Sequence, residues 1–218
     1  MLSISEVKIF RGEKKIIDID HYQFDFSLTY QIIGETGEGK STLFECLAGV
    51  DKPHYGDIVI DSLSLYDSGF MELSLLRKRL GIMFDLPGLL SNQSIYDNLK
   101  LAIDSRNIDL GHGPEAYLIE NYLKFFKLEN ILGDRPGNLS HEQRKIIAFI
   151  RAIVTKPDFL IFDGFSEFFK GNFIEVYKEF LEKIKNNGVG GIFFASERMT
   201  NFNFDKNLIL KQGKIYEC

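Results

Sequence analysis

The run Gly34-Glu35-Thr36-Gly37-Glu38-Gly39-Lys40-Ser41-Thr42 constrains this chain more than any other feature. It fits G-x-x-x-x-G-K-[ST], the pattern of a phosphate-binding loop. It stands where such a loop works, behind the apolar run Tyr30-Gln31-Ile32-Ile33 and ahead of a helical pattern from Leu43 to Ala48. A chain that wraps a triphosphate must turn through positive φ and bring its backbone close to the ligand, and glycine permits both. The loop N–H groups then point inward as an anion nest, backed by the positive end of the following helix. In that arrangement Lys40 reaches the β- and γ-phosphates, and Ser41 sets its hydroxyl on magnesium.

The rest of the chain alternates strand and helix. Leu2–Phe10, Lys15–Asp20, Gln23–Ser27 and Thr29–Ile33 read as short strands broken at Arg11-Gly12 and Asp20-His21. A helix from Lys40 to Gly49 follows the loop, then a strand over Gly56–Asp61, a helix over Leu73–Leu80 and a buried strand, Gly81–Phe84, that ends at Asp85. Ile95–Ile103 and Pro114–Phe126 are amphipathic helices joined by a polar connector, Asp104–Gly113. Ser140–Val154 is a helix whose isoleucines recur at helical spacing. Phe159–Phe162 is apolar at every position, as in a strand buried on both faces of a parallel sheet, and Asp163 follows it. Phe173–Lys185 is a helix, Gly190–Ala195 a buried strand, and Asn207–Leu210 with Lys214–Tyr216 a closing hairpin.

The fold class expected is therefore α/β: a phosphate-loop core (residues 1–85 and 140–218) with an N-terminal antiparallel β subdomain and an inserted helical subdomain at about 86–139, all one nucleotide-binding domain. The 218 residues suffice to bury such a core without staples. The pairs Phe125-Phe126, Phe168-Phe169 and Phe193-Phe194 are read as core contacts.

Bulk properties narrow the function. A net charge of −5 gives no general electrostatic reason to expect nucleic-acid binding. Two distant cysteines, Cys46 and Cys218, fit a reducing compartment rather than a disulfide framework. The N-terminus reads as a strand and not a signal peptide, and no apolar run reaches the length of about 18 residues that a membrane span needs. The expected location is cytoplasmic, with any attachment to the inner face of a membrane made through a partner.

A phosphate loop needs an acid on a neighbouring strand to hold the magnesium shell, and Asp163 is placed for that. Just upstream runs Leu139-Ser140-His141-Glu142-Gln143-Arg144, continuing to Pro157. Here the chain resembles the ATP-binding cassette (ABC) ATPases, whose signature L-S-G-G-Q precedes a helix of the form Q-R-x-x-I-A-R-A-L and then the acidic strand. Leu139, Ser140, Gln143, Ala148, Arg151, Ala152 and Pro157 match, and the order of motifs along nearly the whole chain is the family's. The base-recognition motif of a GTPase, N-K-x-D, is absent. The run Gly88–Leu99 looks like compact importer-type or lipid- and lipoprotein-trafficking cassettes.

The resemblance implies ATP and magnesium as ligands. It implies a homodimer or a heterodimer with another ATP-binding cassette, in which ATP lies between the phosphate loop of one copy and the signature of the other, Ser140, His141, Glu142 and Gln143 here. It also implies an integral membrane permease as partner, docked between Asp85–Leu90 and the helical block. The family's adenine-stacking aromatic falls on Phe10, with core packing an equal alternative for that ring.

Four departures from the family, at five positions, stand out. Asp85 stands where a glutamine is expected, and can still offer an oxygen to magnesium or its water. Gly164 replaces the glutamate that polarises the attacking water. Ser196 takes the place of the switch histidine. His141 and Glu142 replace the two signature glycines, and a carboxylate on Glu142 would repel a facing γ-phosphate. Both composite sites of a dimer are affected, so binding should survive through Lys40, Ser41 and Asp163 while hydrolysis is slow. A glutamate restored at Gly164 is expected to help only modestly, and more when combined with a histidine at Ser196. Were turnover ordinary, another carboxylate, Glu167 or Asp85, would have to position the water. The reading is a transporter's ATP-binding subunit; the alternative is a nucleotide-gated scaffold with little or no hydrolysis.

Overall fold

The computed structural model describes residues 1–67, 69–106, 115–168 and 173–218. In chain order its elements are β1 (Leu2–Arg11), β2 (Lys14–Phe24), β3 (Thr29–Ile33), α1 (Lys40–Leu47), β4 (Tyr55–Ile60), β5 (Leu63–Ser64), α2 (Phe70–Lys78) and β6 (Leu80–Met83). There follow α3 (Ile95–Arg106), α4 (Glu115–Phe125), α5 (His141–Ile153), β7 (Phe159–Phe162), α6 (Phe165–Phe168), α7 (Ile174–Asn186), β8 (Gly191–Ala195), β9 (Lys206–Lys211) and β10 (Lys214–Glu217). Short 3-10 turns at Glu129–Ile131 and Pro136–Asn138 lead into α5. Most of the expected connector, Pro114 and Phe169 lie outside the described residues.

Two sheets divide the strands. One is antiparallel, in the order β2-β1-β4-β5. The other runs β10-β9-β3-β8-β7-β6, parallel throughout except for the β10 edge. The chain does not break at Asp20-His21 as the turn reading expected. β2 continues to Phe24, because its pairing with β1 carries through Ser5↔His21 to Leu2↔Phe24, and Asp20 and His21 simply face solvent. Partnership along a long neighbour overrides a weak local turn signal.

Every residue of β7 and β8 is buried, which accounts for their unbroken apolar sequence. The core over β1, β4 and α1 packs Leu2, Ile4, Ile9 and Ile58 with Leu43, Phe44 and Leu47. A second core joins α3 and α4, through Leu99, Ile119, Leu123 and Phe126, to Ile146, Phe149 and Ile150 of α5 and Phe162 of β7. Burying one Phe or Ile of this kind contributes about 1.5–3 kcal/mol. Phe126 and Phe193 are buried as expected, and Phe125 meets Phe126 at a centroid distance of 5.3 Å.

Register decides where the chemistry falls. Ile33 pairs with Ala195, Phe162 with Phe193, and Met83 with Phe162. The residues that follow these strands, Gly34, Ser196, Asp163 and the Phe84-Asp85 pair, therefore emerge along one edge. The carboxyl ends of parallel strands are where open α/β sheets take ligands.

Candidate functional site

The phosphate loop joins β3 to α1. Gly37 and Gly39 take φ values of 92° and 95°, and Gly39 caps α1 from a left-handed conformation with no side-chain hydrogen bond. A Cβ at Gly39 would meet Ile16 at 2.7 Å, and one at Gly34 would meet the Leu210 carbonyl at 2.8 Å. Both glycines thus leave room that no other residue leaves. Lys40 folds into the loop and donates through Nζ to the carbonyls of Gly34 (2.6 Å) and Glu35 (2.9 Å). Burial pulls the Lys40 ammonium below the ordinary lysine pKa, against the opposing charges of Asp163 and Glu38. Glu38 accepts from the Gln212 backbone N–H at 2.5 Å, which ties the loop to the β9–β10 turn.

Asp163 is 9% exposed. It accepts from the Gly164 N–H at 3.0 Å and from the Ser41 side chain, so the hydroxyl and the acid are already joined. Burial raises its carboxyl above the usual carboxylate range, and the charge of Asp85 adds to the rise. The Asp163 N–H donates to the Met83 carbonyl at 2.9 Å, which fixes the ends of β6 and β7 side by side.

These groups line an open cleft of about 480 Å³ that includes Thr36 to Thr42 in part, Asp85, Asp163, Gly164, Ala195 and Ser196. Arg11 and Ile16 close its far end, and sequence reasoning did not single them out. Phe10 lies beside them in sequence, but its ring packs edge-on against His54 (5.6 Å) and Tyr55 (6.1 Å) and is not among the residues lining the cleft.

Position 164 is occupied tightly. Gly164 has φ +64°, and a Cβ there would lie 2.2 Å from Asp85 Oδ1 and 2.9 Å from Asp85 Cβ. Ser196 is held by Ser166: their hydroxyls lie 2.8 Å apart, and the Ser196 N–H donates to Ser166 Oγ at 3.1 Å. Nothing is described of the Glu167 side chain.

Ser140, His141, Glu142 and Gln143 sit at the start of α5, apart from the residues that line the cleft. Ser140 caps the helix by accepting from the Gln143 N–H at 3.1 Å, and Gln143 Oε1 accepts from the Ser140 N–H at 2.9 Å. This reciprocal box satisfies two otherwise orphaned donors. Glu142 lies in the first turn, where a negative charge suits the helix dipole.

A glycine-built anion loop, a buried acid joined to its serine and a cleft at the carboxyl ends of a parallel sheet define a nucleotide-binding P-loop domain. The profile of the ABC transporter family matches residues 21–166, and this chain belongs to that family. It is 30% identical over 163 residues to the methionine import ATP-binding protein MetN of Clostridium tetani, covering 75% of this chain and 51% of that protein. It is 25% identical over 217 residues to the sulfate/thiosulfate import ATP-binding protein CysA of Anthoceros angustus, covering 98% and 55%. The chain thus spans about half the length of the curated relatives it matches. Its fold superposes on a dimeric, post-hydrolysis structure of the ATP-binding cassette MJ0796 bound to ADP and Pi, with a TM-score of 0.88, 21% identity and coverage of 100% and 98%. It also superposes on cbiO1 of Clostridium perfringens, with a TM-score of 0.78, 23% identity and coverage of 99% and 86%.

Proposed function

We propose that this chain is the ATP-binding subunit of an ABC transporter, coupling ATP binding and slow hydrolysis to movement of a separate membrane subunit. The observation that carries the reading is the assembled set of Lys40, Ser41 and Asp163 around a loop in which a side chain at Gly34 or Gly39 would collide with its neighbours. The set fits the ligand. Lys40 and the open N-terminus of α1 supply positive charge for phosphate oxygens. Ser41 and Asp163, already joined to each other, offer hard oxygens to magnesium, an ion that keeps waters and takes further ligands from phosphate. Bound magnesium would neutralise phosphate charge.

The same reading pairs this chain with a second cassette, in line with the dimeric MJ0796 structures, and the family resemblance would set the partner's signature region against the loop. A permease would dock on the face where the segment after β6 meets α2, α3 and α5. Arg151 donates to the carbonyls of Pro87 and Gly88 at 2.8 Å each, and Asn98 Oδ1 accepts from the Leu90 N–H at 2.7 Å, so this segment is anchored to α5 and α3. A groove of about 380 Å³ lies between α2, α3 and α5, and Leu75 of α2, Leu101 of α3 and Leu86 of the segment after β6 are each more than half exposed. Among the described residues no helix is long and apolar enough to cross a membrane, so attachment through a partner suits the chain. The names of the relatives favour import of a small solute over lipid traffic.

Titration calorimetry of the purified chain with ATP and magnesium tests the reading. Saturable binding is expected, and no detectable affinity at millimolar nucleotide would refute it.

A further inference from the structure

We propose that Asp85 supplies the carboxylate that the family pattern places at position 164, its side chain filling the volume a residue-164 side chain would occupy and facing the same cleft. This deepens the ATP-hydrolysing reading above and rests on it.

The first support is steric. With φ at +64°, Gly164 sits where an L side chain is strained, and a Cβ there would lie 2.2 Å from Asp85 Oδ1, 2.7 Å from its Cγ and 2.9 Å from its Cβ. Rotating Asp85 about χ1 moves the oxygen and Cγ away but leaves Cβ where it is. A side chain at 164 therefore fits only if Asp85 and its backbone shift, so the two side chains compete for one volume.

The second support is the state of the neighbouring acid. Asp163 is buried and engaged by Ser41 and the Gly164 N–H. Asp85 is exposed and lines the cleft one strand away, held there by the pairing of β6 with β7. Of these two carboxylates it is Asp85 that can meet solvent water. The third support is what lies along the same wall. Ser196, two strands from Asp85, is tied to Ser166 and brings no imidazole to share the task.

The chemistry balances simply. The Asp85 carboxylate accepts a hydrogen bond from water and aims its oxygen at the terminal phosphorus of the substrate. The new P–O bond forms as the bond to the bridging oxygen breaks. The electron pair leaves with the diphosphate, and the water proton passes to Asp85 and on to solvent.

The test uses the full chain and two readouts. Melting temperatures without nucleotide are compared for wild type, Gly164→Ala, Asp85→Gly and the double variant. Gly164→Ala is expected to melt lower, and removing the Asp85 side chain to recover part of that loss, so the double variant shifts by less than the sum of the single shifts. Phosphate release is then measured for Asp85→Asn, which keeps the shape but lacks the basic oxygen. Turnover is expected to fall by about 10²–10⁴-fold while ATP still binds. Additive melting shifts, unchanged turnover in Asp85→Asn, or a wild type with no turnover each overturns the assignment. Loss of nucleotide binding by the wild type would instead remove the hydrolase reading beneath it.

Discussion

The two walls of the cleft are built on opposite plans. The phosphate loop is contiguous in sequence and satisfied from within: Lys40 bonds to two carbonyls of its own loop, and glycines make the space. The facing wall is assembled from three strand ends far apart in the chain, Asp85, Asp163-Gly164 and Ser196, each placed by sheet register. In the loop a side chain at Gly34 or Gly39 would collide with its neighbours. At the strand ends an acid stands after β6 and a glycine after Asp163. Gripping phosphate depends on backbone shape, which one short motif must supply whole. On the proposed assignment, handling water depends on where a carboxylate oxygen ends up, and a different strand end brings it there.

Substitutions on either wall can break this contrast. The largest effect is expected from Lys40→Ala. It removes a charged donor, and charge-assisted hydrogen bonds of this kind contribute about 1.5–3 kcal/mol each. Calorimetry should find ATP affinity lost, and retained affinity would mean the loop backbone alone does the gripping.

On the facing wall, Gly164→Glu is expected to lower both melting temperature and phosphate release. The strained backbone alone costs about 1–3 kcal/mol, before the collision with Asp85. The structure thus gives a steric reason against the modest gain that the family pattern suggested. Adding Ser196→His should not rescue the variant, whereas adding Asp85→Gly should recover part of the lost melting temperature. A simple gain from Gly164→Glu alone would erase the distinction between the walls.

Further along, Ser140→Ala should cost about 1 kcal/mol of stability through loss of the α5 cap, and leave ATP binding to the isolated chain unchanged. Thermal melting with and without nucleotide separates the two effects. The smallest effect is expected from Glu142→Gln. It gives up a helix-dipole interaction of about 0.3–1 kcal/mol but removes a charge that would oppose γ-phosphate across a dimer. Sedimentation with ATP should show association tighter by a few-fold. Unchanged or weaker association would mean Glu142 is turned away from the interface.

Sequence and structure agree where the signal is local. The phosphate loop, the buried strand before Asp163 and the apolar stripe of α5 are each readable in one window, because period and motif lie within a few residues. The long β2 was not readable, since its continuity comes from β1 beside it. Nor were Arg11 and Ile16, which the antiparallel sheet carries over the loop, or α6, whose single turn is too short for a periodic pattern. The contact of Asp85 with Gly164 was the least visible of all. Aspartate and glycine each looked like a loss, and only the parallel pairing of β6 with β7 brings the two together.

That contact also bears on how such a chain can change over generations. A mutation that restores a side chain at 164 meets Asp85, and a mutation that removes Asp85 first leaves the cleft wall without its exposed acid. If Asp85 handles the water as proposed, each single step is expected to cost activity even where the two together are neutral. On that assignment the pair would behave as a ratchet: the geometry of two adjacent strand ends would hold a lineage in this arrangement.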